Sequence, residues 1–231
     1  MLLDQTIAGR RCTLWVPEGT GPFALSLCCC GSASELLPQL GALSPNRLFV
    51  SPEADWEIDF TPWPAPTLQG GRPFADGSVL GGAPAFLHWV EGELLPVLGA
   101  RFALDPAQNS VLGYSLGGLF ALWAVCQSEA FSQCACLSGS LWYPGWVNFL
   151  KEHAPKPPQR VYLSLGKKEE KSGPAVMRAV GDATRQSAGL LAQSLGCENT
   201  VLEWNPGGHF APALPRWEKA LAWLDFPQNN R

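Results

Sequence analysis

The chain has 231 residues, 46% hydrophobic and 16% charged, with a formal net charge of −4. That length and balance suit a folded, enzyme-sized protein with one large core, and one α/β domain spanning 1–231 better than two. The mild acidity argues against nucleic acid, because the one Lys-rich run, GKKEEK (166–171), largely cancels itself, and no apolar run reaches the ~18 residues of a membrane span.

In chain order, MLLDQTIAGRRC lacks the order of a secretory signal, since its arginines follow the short apolar segment. TLWVP (13–17) and FALSLCCC (23–30) read as strands with GTGP as the turn between them, and RLFVS (47–51) as another strand. Residues 61–85 are dense in Pro and Gly and read as a long ordered loop, a common place for part of a site. A helical pattern then covers PAFLHWVEGELLPVL (84–98). From there strands and helices alternate. NSVLG (109–113) precedes helix 116–126, and CACLSG (134–139) precedes helix 143–153. RVYLSLG (160–166) leads to one long helix over 175–195, and TVLEW (200–204) to a last helix over 213–226. This alternation predicts a mainly parallel sheet with helices on both faces, and ligands binding beyond the carboxyl ends of its strands.

Eight cysteines would form a disulfide framework in a small secreted domain. Here three are consecutive (Cys28, Cys29, Cys30), and adjacent cysteines seldom pair. With no export signal, reduced thiols in the cytoplasm are expected. CCC and the lone CxC (Cys134, Cys136) lack zinc-ligand spacing, so no metal is expected.

Ser115 stands in GYSLGG between a strand and an apolar helix, the context a G-x-S-x-G nucleophile elbow requires. Gly113 and Gly117 leave room for the sharp turn, and Gly118 allows the helix close to the sheet. A serine needs a general base. Of the three histidines, His88 lies in a helical run and His153 at a charged helix end. His209, in NPGGHF, falls in a glycine-rich loop directly after the final strand. The carboxylate that would orient it should lie between serine and histidine in the chain. Glu169, just after the strand at 160–166, is the first choice and Glu170 the second. Oxyanion donors are expected from the backbone N–H of Leu116 and from Gly31 or Ser32.

GYSLGGLFALWA, LSGSLWYPGW, VYLSLGKKEEK and NPGGHF, with DFTPWPAP, resemble the putative esterase family of α/β-hydrolases, related to enterochelin esterases, feruloyl esterases and S-formylglutathione hydrolase. The resemblance runs from about the first strand to the last helix. It implies an α/β-hydrolase fold, an esterase activity with Ser115 as nucleophile and His209 as base, and an acid, where one is used, in the loop holding Glu169. Two positions depart from close relatives: Lys167 stands where Asp is usual, and Cys30-Gly31 where His-Gly or Asp-Gly is common. Only SGSLWYPG separates the strand at 134–137 from its helix, so no large cap domain is expected. Trp63, Trp142 and Tyr143, with Trp146 nearby, are candidates for an apolar wall against a small-molecule ester.

The reading is a serine hydrolase that cleaves carboxylic esters through an acyl-enzyme, with no organic cofactor. An acyltransferase or thioesterase using the same Ser–His site, or a binding protein with a retained elbow, are the alternatives. The sequence leaves the oligomeric state open.

Overall fold

Burial is continuous along the central strands, which demands cover on both faces. The structure, a computed structural model, describes residues 1–65, 68–69, 72–73, 80–157, 159–173 and 175–226. The strands are β1 (Leu2–Ile7), β2 (Arg10–Trp15), β3 (Ala24–Cys29), β4 (Arg47–Pro52), the two-residue β5 (Leu68–Gln69) and β6 (Arg72–Pro73), β7 (Ser110–Tyr114), β8 (Gln133–Leu137), β9 (Arg160–Gly166) and β10 (Thr200–Asn205). The helices are α1 (Ala33–Leu43), α2 (Ala83–Trp89), α3 (Leu95–Arg101), α4 (Leu116–Gln127), α5 (Trp146–His153), α6 (Ala175–Arg178), α7 (Val180–Leu195) and α8 (Leu214–Leu224).

One eight-stranded sheet has the order β1-β2-β4-β3-β7-β8-β9-β10. β2 is antiparallel to both its neighbours, and every pairing from β4 to β10 is parallel. Leu25, Leu27, Val111, Cys134, Cys136, Val161 and Leu163 point to a core shared with α2, α3, α4, α5 and α7. Their alternates Cys28, Leu112, Ala135, Leu137 and Tyr162 point to a second core under α1 and α8. Two covered faces explain why these strands read as continuous apolar runs. α4 lies against the middle of the sheet and is buried from Gly117 to Val125.

Several sequence expectations give way to tertiary effects. GTGP is not a turn between paired strands, because β4 lies between β2 and β3. β2 instead forms a hairpin with β1, an edge strand that sequence reading missed, through Ala8 and Gly9 at φ 43° and 86°. α1 was also unread, because Pro38 and Gly41 lower its intrinsic propensity. Packing decides it: a Cβ on Gly41 would sit 1.9 Å from the Trp15 indole. The helix expected over 84–98 passes through a π-helical turn, Val90–Leu94, before α3. Pro96 has no N–H to donate, and the widened turn precedes it. The helix expected over 175–195 is divided into α6 and α7. Of the loop expected at 61–85, residues 66–67, 70–71 and 74–79 lie outside the described residues.

Candidate active site

The turn from β7 into α4 sets the geometry. Ser115 has φ 58° and ψ −121°, a left-handed backbone that non-glycine residues rarely adopt. It is held by Ser115 N–H to the Leu137 carbonyl (3.1 Å) and by Ser140 N–H to the Ser115 carbonyl (2.9 Å). The flanking glycines are steric necessities. A Cβ on Gly113 would lie 2.0 Å from the Gly117 carbonyl oxygen, and one on Gly117 would lie 2.3 Å from the Cys29 carbonyl oxygen. Gly113→Ala is therefore expected to cost about 3 kcal/mol or more, lowering Tm by about 2–4 °C per kcal/mol in a chain of this size. Gly99→Ala, with nothing within 4 Å of its new methyl, should leave Tm unchanged or slightly raised; equal Tm values for the two variants would refute the steric account.

Three loops at the carboxyl ends of the strands then converge. His209, after β10, places Nε2 3.1 Å from Ser115 Oγ and Nδ1 2.9 Å from Glu169 Oε2. Glu169 opens a short 3₁₀ turn after β9 and is buried. Its Oε1 accepts from the Gly166 N–H (2.7 Å), the Ser138 hydroxyl (2.8 Å) and Arg216 Nη1 (2.9 Å). Burial alone would raise this carboxyl. The hydrogen bonds from His209, Gly166 and Ser138, with the attraction of His209, outweigh it and hold Glu169 below its ordinary value. An ionised Glu169 can only accept, so Nδ1 of neutral His209 carries the proton and Nε2 accepts from the Ser115 hydroxyl.

The other expected residues separate. Glu170 turns away to an ion pair with Arg185 at 2.8 Å. His88 and His153 are exposed, the latter bonded to the Phe149 carbonyl. Leu116 is the first residue of α4, and the next residue, Gly117, lies against Cys29 at the end of β3. Gly31 and Ser32 are exposed just beyond β3, and the Ser32 carbonyl caps α1. Burial pushes the Cys30 thiol up to about 11, so it is not a thiolate nucleophile at neutral pH. Tyr143 is 2% exposed and its hydroxyl donates to the Trp63 carbonyl at 2.5 Å, so it borders the cavity beside Trp142 only as a largely buried ring. Trp146 is likewise core, its indole N–H on Ser187 Oγ. Trp63 is half-buried and tied to the Pro144 carbonyl at 2.9 Å. Trp142, also half-buried, lines a cavity of about 290 Å³ between the 141–148 loop and α7.

Sequence reading missed Ser138, Tyr114 and Arg216. The Tyr114 hydroxyl donates to the His209 carbonyl at 2.5 Å, and the two rings lie 5.3 Å apart. A signal for Arg216 was present: it is a lone cation on the stripe Trp217, Ala220, Leu221, Leu224.

A family model described as "Putative esterase" matches residues 44–222. The chain belongs to this esterase family. YbbA of Bacillus subtilis (strain 168), an uncharacterized protein, is 26% identical over 188 residues, spanning 78% of this chain and 74% of YbbA. An IroE-like serine hydrolase from Shewanella oneidensis superposes with a TM-score of 0.78 at 20% identity, covering 96% of this chain and 79% of that one. Siderophore hydrolase EstA from Aspergillus nidulans gives 0.72 at 18% identity, covering 96% and 93%. The enterobactin esterase FES from Shigella flexneri gives 0.69 at 21%, covering 97% of this chain and 58% of FES. These likenesses carry the α/β-hydrolase fold, and family membership carries ester hydrolysis. The link from β8 to α5 spans only residues 138–145, with no room for a cap domain there. No helix among the described residues is long and apolar enough to cross a membrane.

Proposed function

We propose that this esterase is a single-domain serine hydrolase of small-molecule carboxylic esters. The observation that carries the reading is the continuous chain Ser115 Oγ, His209, Glu169, with links of 3.1 and 2.9 Å. Ser115 attacks the ester carbonyl as His209 Nε2 takes its proton, and Glu169 stabilises the imidazolium. The N–H of Leu116 and one from Gly31 or Ser32 receive the oxyanion. His209 then protonates the leaving alcohol, and water releases the acyl group by the same steps in reverse roles. Trp142 and Trp63 are the proposed wall residues. Eight free cysteines favour a reducing compartment, and cytoplasmic residence belongs to the same proposal.

A fluorophosphonate probe should add to one peptide, the one holding Ser115, and block hydrolysis of an activated phenyl ester. The labelling rate should rise with pH across the range in which imidazole loses its proton, because Glu169 is already ionised there. Labelling elsewhere, or ester hydrolysis that survives complete labelling of Ser115, would overturn the proposal.

A further inference from the structure

One cation is built into the apolar face of the last helix. Arg216 lies beside Trp217, Ala220, Leu221 and Leu224 on α8 and is 1% exposed. A guanidinium at that depth must be paired and hydrogen-bonded. Its Nη1 reaches Glu169 Oε1 (2.9 Å), the Tyr114 hydroxyl (2.8 Å) and the Ser138 hydroxyl, and its Nη2 donates to the Gly208 carbonyl (2.8 Å). These acceptors come from four segments: the residue before Ser115, the loop after β8, the acid loop after β9, and the residue before His209. A Cβ on Gly166 would lie 2.8 Å from Glu169 Oε1 and 2.9 Å from Arg216 Nη2. The missing side chain leaves space for the pair.

We infer that Arg216 is a positioning residue, holding the acid Glu169 and the backbone on both sides of the Ser–His contact in one register. The inference rests on the esterase reading above and adds a residue to it. With Gly166, Ser138 and Arg216 all on Oε1, the carboxylate cannot rotate, and Oε2 is left for Nδ1 of His209. The Tyr114 hydroxyl, on Arg216, fixes the His209 carbonyl from the other side. A planar fork serves several acceptors at once, which a lysine ammonium does not reproduce.

The charge of Arg216 acts in a definite direction. The ionisable and hydroxyl groups against the His209 ring are Glu169, Tyr114 and Ser115; the Phe210 ring, 5.2 Å away, carries no charge, and Lys167 and Lys168 on the acid loop are exposed. Burial is the main reason the Tyr114 phenol is held above its ordinary value, so it stays neutral. The active pair is ionised Glu169 with neutral His209. Adding a proton to either member removes the net negative charge beside Arg216. Loss of the cation therefore favours the protonated pair whichever member holds the proton, and the acid limb of activity moves to higher pH.

The test compares the full-length wild type with Arg216→Met and Arg216→Lys, each checked for fold by circular dichroism. The measurements are kcat and KM for an activated phenyl ester from pH 5 to 9, and the NMR titration of the His209 ring. For Arg216→Met, kcat should fall roughly 10²-fold with KM within about 2-fold. Its acid limb should rise by about 1 pH unit. Arg216→Lys should restore the limb but only part of kcat. A folded Arg216→Met with wild-type kcat and an unmoved limb overturns the inference. If that variant does not fold, Arg216→Lys decides: a roughly 10-fold loss of kcat at unchanged KM supports positioning by the fork, and wild-type kcat overturns it. Failure of wild type to hydrolyse any ester would instead sink the esterase reading. In that case the ring titration still decides, an upward shift of His209 in Arg216→Met supporting the inference and no shift overturning it.

Discussion

Ser115→Ala should lower kcat by about 10⁶-fold, His209→Ala should lower it about as much, and the double variant should lose little more. The near-equality follows from the geometry. The hydroxyl is a poor nucleophile unless Nε2 takes its proton at 3.1 Å, and the imidazole has nothing to activate once Oγ is gone. Two groups acting as one unit cannot give additive losses. Ser115→Ala should fold, because Ser115 Oγ bonds only to His209 and, at 3.4 Å, to Ser140 among the described residues; the two variants lacking His209, which leave Glu169 Oε2 without its imidazole partner, are checked by circular dichroism. Active-site titration must exclude trace wild type at so large a ratio. Losses that multiply in the double variant would mean that serine and histidine act in separate steps, contrary to the mechanism.

Glu169→Gln should cost about 10⁴-fold in kcat, while Glu170→Gln should stay within about 2-fold. At Oε1 the carboxylate meets only donors: Gly166 N–H, Ser138 and Arg216. A glutamine must put its carbonyl there, leaving its NH₂ against Nδ1 of His209. The imidazole then has to accept at Nδ1 and carry its proton on Nε2, which faces Ser115 and can no longer take a proton from it. Glu170, paired with exposed Arg185, has no such link. A Glu170→Gln variant as impaired as Glu169→Gln would move the acid and break this account. The depressed carboxyl of Glu169 also has a stability consequence. Its contribution is present above its ordinary value of 4.5 and is lost as pH falls through the lower folded value.

The parallel alternation, the elbow and the choice of His209 were legible because each rests on short local signals read segment by segment. Apolar runs as short as SVLG set the strands, and Gly113 and Gly117 at fixed offsets from Ser115 set the turn. What was not legible depended on packing partners. β1 is half-exposed and carries little apolar signal of its own. α1 tolerates Pro38 and Gly41 because Trp15 fills the space beside it. Tyr143 is an aromatic near the strand ends like Trp142, yet it is buried while Trp142 is not. Glu169 and Glu170 are adjacent and chemically equivalent, so the chain could only rank them.

By itself, then, the sequence determined an α/β sheet with a sharp serine turn and a histidine at the same carboxyl end of its strands, since backbone sterics and side-chain period are local. The tertiary structure decided which carboxylate meets that histidine and which cation holds it. Arg216 is 47 residues from Glu169 and 102 from Tyr114. It acquires its role only when α8 packs beneath the strand ends, where a low dielectric makes every pairing or orphaning of charge costly.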